Sequence, residues 1–163
     1  MQQISTQPKQ FLVKKDYGPT TAEIIMPDDV TDALIKMSDG LFEDSAGLSH
    51  GQNLAGVIAT ELRVHQADLI NAGCYEWLES AVRGYVQNSA MMNGQWQDDY
   101  EISSNINSCW TVNQFANEYN PLHNHTNCEI SAVCYLKIPD VKGRRNLDSK
   151  KGKQDEDGNI TIG

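Results

Sequence analysis

Two histidines separated by a single residue are the feature of this sequence that most directly indicates chemistry. They are His123 and His125, within the run Tyr119-Asn-Pro-Leu-His-Asn-His-Thr-Asn-Cys-Glu129. In an extended chain, residues i and i+2 project from the same face, so two imidazoles at this spacing can converge on one ion. Imidazole binds iron, zinc, copper and nickel. Because Asn120-Pro121 predicts a turn just before them, His123 and His125 are candidate metal ligands on a short, rigid support.

Two kinds of metal site have this spacing. A His-x-carboxylate pair with a distant histidine forms the facial triad of non-haem Fe(II) oxygenases, although His125 here occupies the carboxylate position. The spacing His-x-His-x-x-x-Glu is instead that of the first metal motif of cupins, and Glu129 completes it after the two histidines. The glycines that flank the cupin motif are replaced by Asn117 and Leu136. Spacing alone therefore leaves both kinds of site open, together with a solvent-facing pair that binds nothing.

Helical patterns come before the histidines. Pro27 and the two aspartates after it predict the start of a helix that ends near Gly40. Apolar residues at intervals of three and four predict one long amphipathic helix from about Gln66 to Ala90. The Asn93-Gly94 turn signal is expected to end it. A short strand is expected over residues 22–26.

Strand patterns surround the histidines. Residues 109–116 and 130–138 alternate between two faces, as strands do. The predicted fold class is therefore α+β. We expect a single domain over residues 1–163, in which residues 1–93 are mainly helical and residues 94–163 contribute the strands.

Charge and composition exclude several functions. The chain has 22 acidic and 13 basic residues among 163, a net charge of −9, which disfavours non-specific nucleic-acid binding. It contains no apolar run of the roughly 20 residues that a membrane-spanning helix needs, and no signal-peptide core at its start. The four cysteines form no Cys-x-x-Cys pair. We therefore expect a cytoplasmic protein with reduced cysteines, no membrane partner and no non-specific nucleic-acid partner; a homo-oligomer is compatible with the sequence.

A wider pattern encloses the histidines. It consists of Trp110-Thr-Val-Asn113, then His123-Asn-His125, then Ser131-Ala-Val-Cys-Tyr-Leu-Lys-Ile-Pro139. This order of residues resembles a family of 2-oxoglutarate/Fe(II)-dependent oxygenases found in bacteria and their phages. Ala132 stands where that family usually has glycine, and Cys134 where it has the first of two tyrosines.

The resemblance implies a double-stranded β-helix, a cupin-like jelly roll on which the N-terminal helices pack, with the metal at its open end. It implies Fe(II) as the cofactor and 2-oxoglutarate as the cosubstrate of a dioxygenase that hydroxylates its substrate. His123 and His125 would be the metal ligands, and Asn113 and Tyr135 would contact 2-oxoglutarate or substrate. No residue is assigned a separate catalytic role. The substrate, a small molecule or a peptide, cannot be identified from the sequence.

Two further groups that such an enzyme needs are missing from the pattern. They are a distal histidine and a basic residue that binds the far carboxylate of 2-oxoglutarate. No histidine follows Pro139, and Arg144 and Arg145 lie in a charged segment outside any motif. We therefore expect the jelly roll to be incomplete here, with a longer native chain supplying the third ligand.

Two other hypotheses remain alongside the oxygenase. One is a cupin-like metalloprotein that uses His123, His125 and Glu129 and needs no 2-oxoglutarate. The other is a non-enzymatic module of the same fold, such as a phage structural or interaction protein. Metal binding would distinguish the oxygenase and the cupin-like metalloprotein from the non-enzymatic module. A requirement for Glu129 in metal binding would distinguish the cupin-like protein from the oxygenase.

Overall fold

The computed structural model describes residues 7–8, 11–14, 18–44, 58, 60–116, 118–121 and 123–138. The predicted mixture of helices and strands is confirmed. In chain order the elements are β1 (Phe11–Lys14), β2 (Thr21–Ile24), α1 (Asp28–Asp44), β3 (Thr60–Arg63), α2 (Gln66–Asn71), α3 (Tyr75–Met92) and β4 (Trp110–Asn113).

Helix α1 begins where the sequence predicts and ends one turn later. The Asp29 carboxylate accepts a hydrogen bond from the backbone N–H of Val30 at 3.0 Å, which satisfies one of the free donors of the first turn. Gly40 was expected to end the helix, but α1 continues to Asp44. Leu41 packs against the core, and this burial outweighs the roughly 1 kcal/mol that glycine costs relative to alanine inside a helix.

The long helix predicted from residue 66 to residue 90 is two helices. Helix α2 ends at Asn71, and α3 begins after Cys74. Between them Gly73 has φ of +76°, a left-handed conformation that glycine adopts without steric cost. The apolar period continues across this break because both helices bury residues in the same cluster. The end of α3 is as predicted, with Asn93 as its C-cap and Gly94 at φ +66°.

The strands form two separate antiparallel pairs, β1 with β2 and β3 with β4. In the second pair, Thr60 lies opposite Asn113 and Arg63 opposite Trp110. The strand predicted over residues 130–138 is wrong, because this part of the chain joins neither sheet. Among the described residues neither sheet closes into a barrel, so the jelly roll is not confirmed.

The core lies where α1, α2 and α3 meet the end of β3. Its buried residues come from these elements and the turns between them: Val30, Leu34, Val64, Leu69, Cys74, Trp77 and Ala81. Three residues from the second half of the chain pack against it, namely Ile106, Cys109 and Leu136. No helix in the described part of the chain is long and apolar enough to cross a membrane.

Candidate metal centre

The β3–β4 pair has two faces with different surroundings. Directly opposed residues share a face, so Trp110 and Val112 lie with Arg63 and Glu61, while Thr111 lies with Leu62 on the other face. The Thr111 hydroxyl is hydrogen-bonded to Ser38 of α1. The Thr111 face therefore packs toward the helices, and the Trp110 face is turned away from them.

The histidine pair lies against the Trp110 face. The ring of His125 is 5.6 Å from the ring of Trp110, centroid to centroid, and 4.7 Å from the ring of His123. The two imidazole planes are inclined at 76°. The two imidazoles therefore lie next to each other, although residues 123–125 form no strand ladder. Their convergence on a metal ion stays a prediction.

This separation can be compared with the one that a shared metal ion requires. A metal–nitrogen bond of about 2.1 Å places each ring centroid roughly 3.2 Å from the ion, so two rings bound at right angles have centroids roughly 4.6 Å apart. The observed 4.7 Å is close to this value and is also the separation of an ordinary edge-to-face ring contact. Two imidazoles are also a donor set that suits Fe(II). The ring separation therefore allows two neighbouring positions of one metal site, which also require a nitrogen lone pair of each ring to point at the ion.

The proton on His123 is fixed by its backbone neighbour. Nδ1 of His123 lies 2.7 Å from the carbonyl oxygen of Pro121. Because a carbonyl oxygen only accepts hydrogen bonds, Nδ1 donates its proton to this bond and the lone pair is left on Nε2. Metal-binding histidines use this arrangement to set the tautomer and the ring orientation. Both His123 and His125 are exposed to solvent as residues.

The chain after the histidines turns through a left-handed residue. Asn127 has φ of +60°, a conformation that asparagine tolerates better than most other residues. Its carbonyl oxygen accepts a hydrogen bond from the Asn107 side chain at 3.3 Å. The turn that carries the histidines is therefore attached to the segment that leads into β4.

The described residues contain no group of three His, Cys, Asp or Glu side chains that could hold a metal ion. Glu129, the third member of the cupin spacing, is exposed and does not complete such a group with the two histidines. A carboxylate that sequence analysis did not single out is Glu61, which is 1% exposed and opposite Val112. It lies on the Trp110 face, and its burial depends on tertiary structure that the alternation of a four-residue strand could not reveal.

The two candidate contacts for 2-oxoglutarate lie in different surroundings. Asn113 is exposed at the end of β4, on the Thr111 face, and the structure does not bring it to the face on which His125 packs. Tyr135 is 48% exposed, and partial burial raises the pKa of its phenol above the ordinary value. Their assigned roles stay predictions.

Cys109 and Cys134 are poor candidates for metal ligands because metals bind the thiolate. Burial, followed by electrostatic interaction with Cys134, raises the pKa of the Cys109 thiol to about 11. Burial also raises the pKa of the Cys134 thiol, although the residue as a whole is exposed. A thiol with a raised pKa is protonated and chemically inert near neutral pH. All four cysteines are free, with Cys74 buried and both Cys128 and Cys134 exposed.

Comparison with protein families matches a segment that contains β4, both histidines and Tyr135. Residues 108–161 match the sequence model of a family described as "Putative 2OG-Fe(II) oxygenase". Over this segment the chain is similar to that family. The family implies Fe(II) as cofactor and 2-oxoglutarate as cosubstrate.

The match covers about a third of the chain, and its last part, from residue 139 onward, lies outside the described residues together with Arg144 and Arg145. Comparison with curated proteins and with solved structures gives no match.

Proposed function

We propose that this protein is an Fe(II)/2-oxoglutarate-dependent dioxygenase in which His123 and His125 bind the metal. The observation that carries the proposal is the imidazole pair, whose centroid separation of 4.7 Å suits one ion and which lies inside the segment similar to the oxygenase family. When bound, Fe(II) and 2-oxoglutarate supply the oxidative chemistry: one oxygen atom of O₂ enters succinate as CO₂ is released, and the other hydroxylates a C–H bond of the substrate.

The described side chains would prepare the site for that chemistry. His123 offers Nε2 because Nδ1 is committed to the Pro121 carbonyl oxygen. The indole of Trp110 lies beside the His125 ring, limits its rotation and removes water from one side of it. Fixing ligand rings in this way reduces the entropy lost when the metal binds.

The remaining parts of the proposal extend beyond the described contacts. The β3–β4 pair would be part of a jelly roll, with its Trp110 face inward and its Thr111 face toward α1. Asn113 and Tyr135 would contact 2-oxoglutarate or substrate near the mouth. The substrate would be a small molecule or a peptide.

Metal binding by the full chain is the first test. Co(II) is a redox-stable substitute for Fe(II), and calorimetry with Co(II) measures affinity without catalysis. We expect His123→Ala and His125→Ala each to weaken binding by at least about 100-fold, since ligand loss should cost no less than loss of a supporting group. His65→Asn is the matched control, because His65 is an exposed histidine outside the matched segment and asparagine is a good N-cap.

Turnover is the second test. With Fe(II), 2-oxoglutarate and O₂, the native protein with its third metal ligand in place should release succinate and CO₂, and its His123→Ala variant should not. Equal turnover in the two proteins would remove His123 from the mechanism. Metal binding without any turnover of 2-oxoglutarate would contradict the oxygenase and favour a metalloprotein of another kind.

A further inference from the structure

Two adjacent residues of α1 contact the chain on both sides of the histidines. The hydroxyl of Ser38 is hydrogen-bonded to the hydroxyl of Thr111 in β4, which precedes the histidines. Both carboxylate oxygens of Asp39 accept hydrogen bonds from Nζ of Lys137, at 2.6 and 2.8 Å. Lys137 belongs to residues 130–138, here called the exit segment, which follows the histidines. The partners are 73 and 98 residues apart in sequence, so no local pattern predicts either contact.

Apolar packing accompanies these polar contacts. Leu136, the neighbour of Lys137, packs against the buried cluster that includes Val30 and Leu34 of α1. Cys109, the residue before β4, packs against the same cluster. Ser38 itself is only 7% exposed. The two flanks of the histidine turn therefore pack against the same buried cluster, and each is also joined to α1: one by the part-buried Ser38–Thr111 hydrogen bond and the other by the exposed Asp39–Lys137 ion pair.

We propose that Ser38 and Asp39 are positioning residues, which keep β4 and the exit segment together so that His123 and His125 stay at the separation one ion requires. The role in metal binding rests on the proposed function, whereas the attachment of the two flanks does not. Attachment has a physical consequence for binding, because a turn that is ordered beforehand loses less conformational entropy when the ion arrives. Helix α1 lies outside the segment similar to the oxygenase family, so this role is not implied by that similarity.

The chain contains a matched control for the ion pair. Lys14 and Glu23 also lie 2.6 Å apart, with exposed fractions of 46% and 72% against 62% and 50% for Lys137 and Asp39. They join β1 to β2, and β2 is adjacent in sequence to α1 rather than to the histidines. A substitution of Glu23 therefore reproduces the change of net charge and the loss of an exposed ion pair without acting on the proposed attachment.

The experiment uses charge reversal and its rescue in the full chain. The variants are Asp39→Lys, Lys137→Asp, the double variant that exchanges the two charges, and Glu23→Lys as control. Hydrogen exchange of the exit-segment amides reports the attachment. Co(II) affinity by calorimetry and the Co(II) absorption spectrum report the metal site.

We expect each single reversal at Asp39 or Lys137 to accelerate exchange in the exit segment and to weaken Co(II) binding roughly three- to tenfold, the range for loss of an exposed ion pair combined with new repulsion. The exchanged pair should restore both within about twofold of wild type, and Glu23→Lys should change neither. High salt should weaken wild-type binding toward that of Asp39→Lys, because screening acts on exposed charges.

Ser38 is tested in the same way. Ser38→Ala leaves the Thr111 hydroxyl without this hydrogen bond, and we expect Co(II) affinity to fall roughly two- to tenfold, the range for one lost hydrogen bond. Ser38→Ala combined with Thr111→Val removes both partners and should recover part of that loss.

Each outcome decides a part of the proposal. Unchanged exchange in Asp39→Lys, or an equal effect of Glu23→Lys, would overturn the attachment. Faster exchange with unchanged Co(II) affinity would overturn the link to the metal. If wild type binds no Co(II), the proposed function fails, and hydrogen exchange still judges the attachment by itself.

Discussion

The helical region and the histidine-bearing region of this chain are stabilised differently. The helical region buries side chains from several elements in one cluster, with Leu69 at 1% and Trp77 at 3% exposure. The region after residue 108 has no fully buried residue among those that the structure describes. Large apolar side chains stay exposed there: Val112, Phe115, Tyr119, Val133, Tyr135 and Ile138.

This difference shows where the order of the candidate site comes from. The histidine-bearing region is joined to the helical core by the β3–β4 ladder, by the packing of Cys109 and Leu136, and by the contacts of Ser38 and Asp39. Substitutions in the core should therefore lower the stability of the whole fold. Substitutions around the histidines should change metal binding with little effect on unfolding. The predictions that follow test this separation.

The largest effect is expected from Leu69→Ala in the core. Leu69 is 1% exposed, and removing a buried leucine side chain costs about 2–5 kcal/mol of unfolding free energy. Urea denaturation measures it. The neighbouring Ile70 is 55% exposed, and Ile70→Ala should stay within about 0.5 kcal/mol of wild type. Equal effects would mean that the cluster is not the stabilising core.

The second prediction concerns Trp110, at the boundary between the two regions. Because its ring lies 5.6 Å from that of His125, Trp110→Ala should free the imidazole and weaken Co(II) binding about tenfold, as loss of a supporting group does. Trp110→Phe retains an aromatic surface and should lose less. If alanine and phenylalanine weaken binding equally, ring contact is not what orients His125.

How far the sequence predicts this structure depends on how local each signal is. Three features follow from the sequence: the start of α1, the end of α3 at Asn93, and the closeness of His123 and His125. Each depends only on residues that are near one another in sequence. The alternation of residues 109–116 likewise predicted β4, although the strand covers only Trp110–Asn113.

The failures arise from tertiary structure. The break between α2 and α3 leaves the apolar period intact, and only Gly73 inside the helical pattern could have indicated it. Residues 130–138 alternate as a strand does, yet strand formation needs a partner, and Leu136 instead packs on helices. The contacts of Ser38 and Asp39 join residues more than 70 positions apart, which a single sequence cannot reveal.

The third prediction uses the Cys109 thiol, which connects the two regions. Its pKa in the folded chain is about 11, above the ordinary value of 9.0. Because the pKa is raised in the folded state, the folded chain keeps the thiol proton at pH values where the unfolded chain has lost it. The contribution of the protonated thiol to the unfolding free energy is therefore complete below pH 9.0 and is lost as the pH rises toward 11. The unfolding free energy from urea titrations should therefore fall over this interval, and fall less steeply in Cys109→Ala.

The smallest effect is expected from Glu129→Gln, which separates the oxygenase from the cupin-like alternative. Glu129 is exposed and forms no three-ligand group with the histidines in the described structure, so Co(II) affinity should stay within about twofold of wild type. If Glu129→Gln retains the wild-type Co(II) affinity and His123→Ala loses it, metal binding depends on His123 and not on Glu129. A loss as large as that of His123→Ala would make Glu129 a ligand, favour the cupin-like site, and require the turn after His125 to rearrange around the ion.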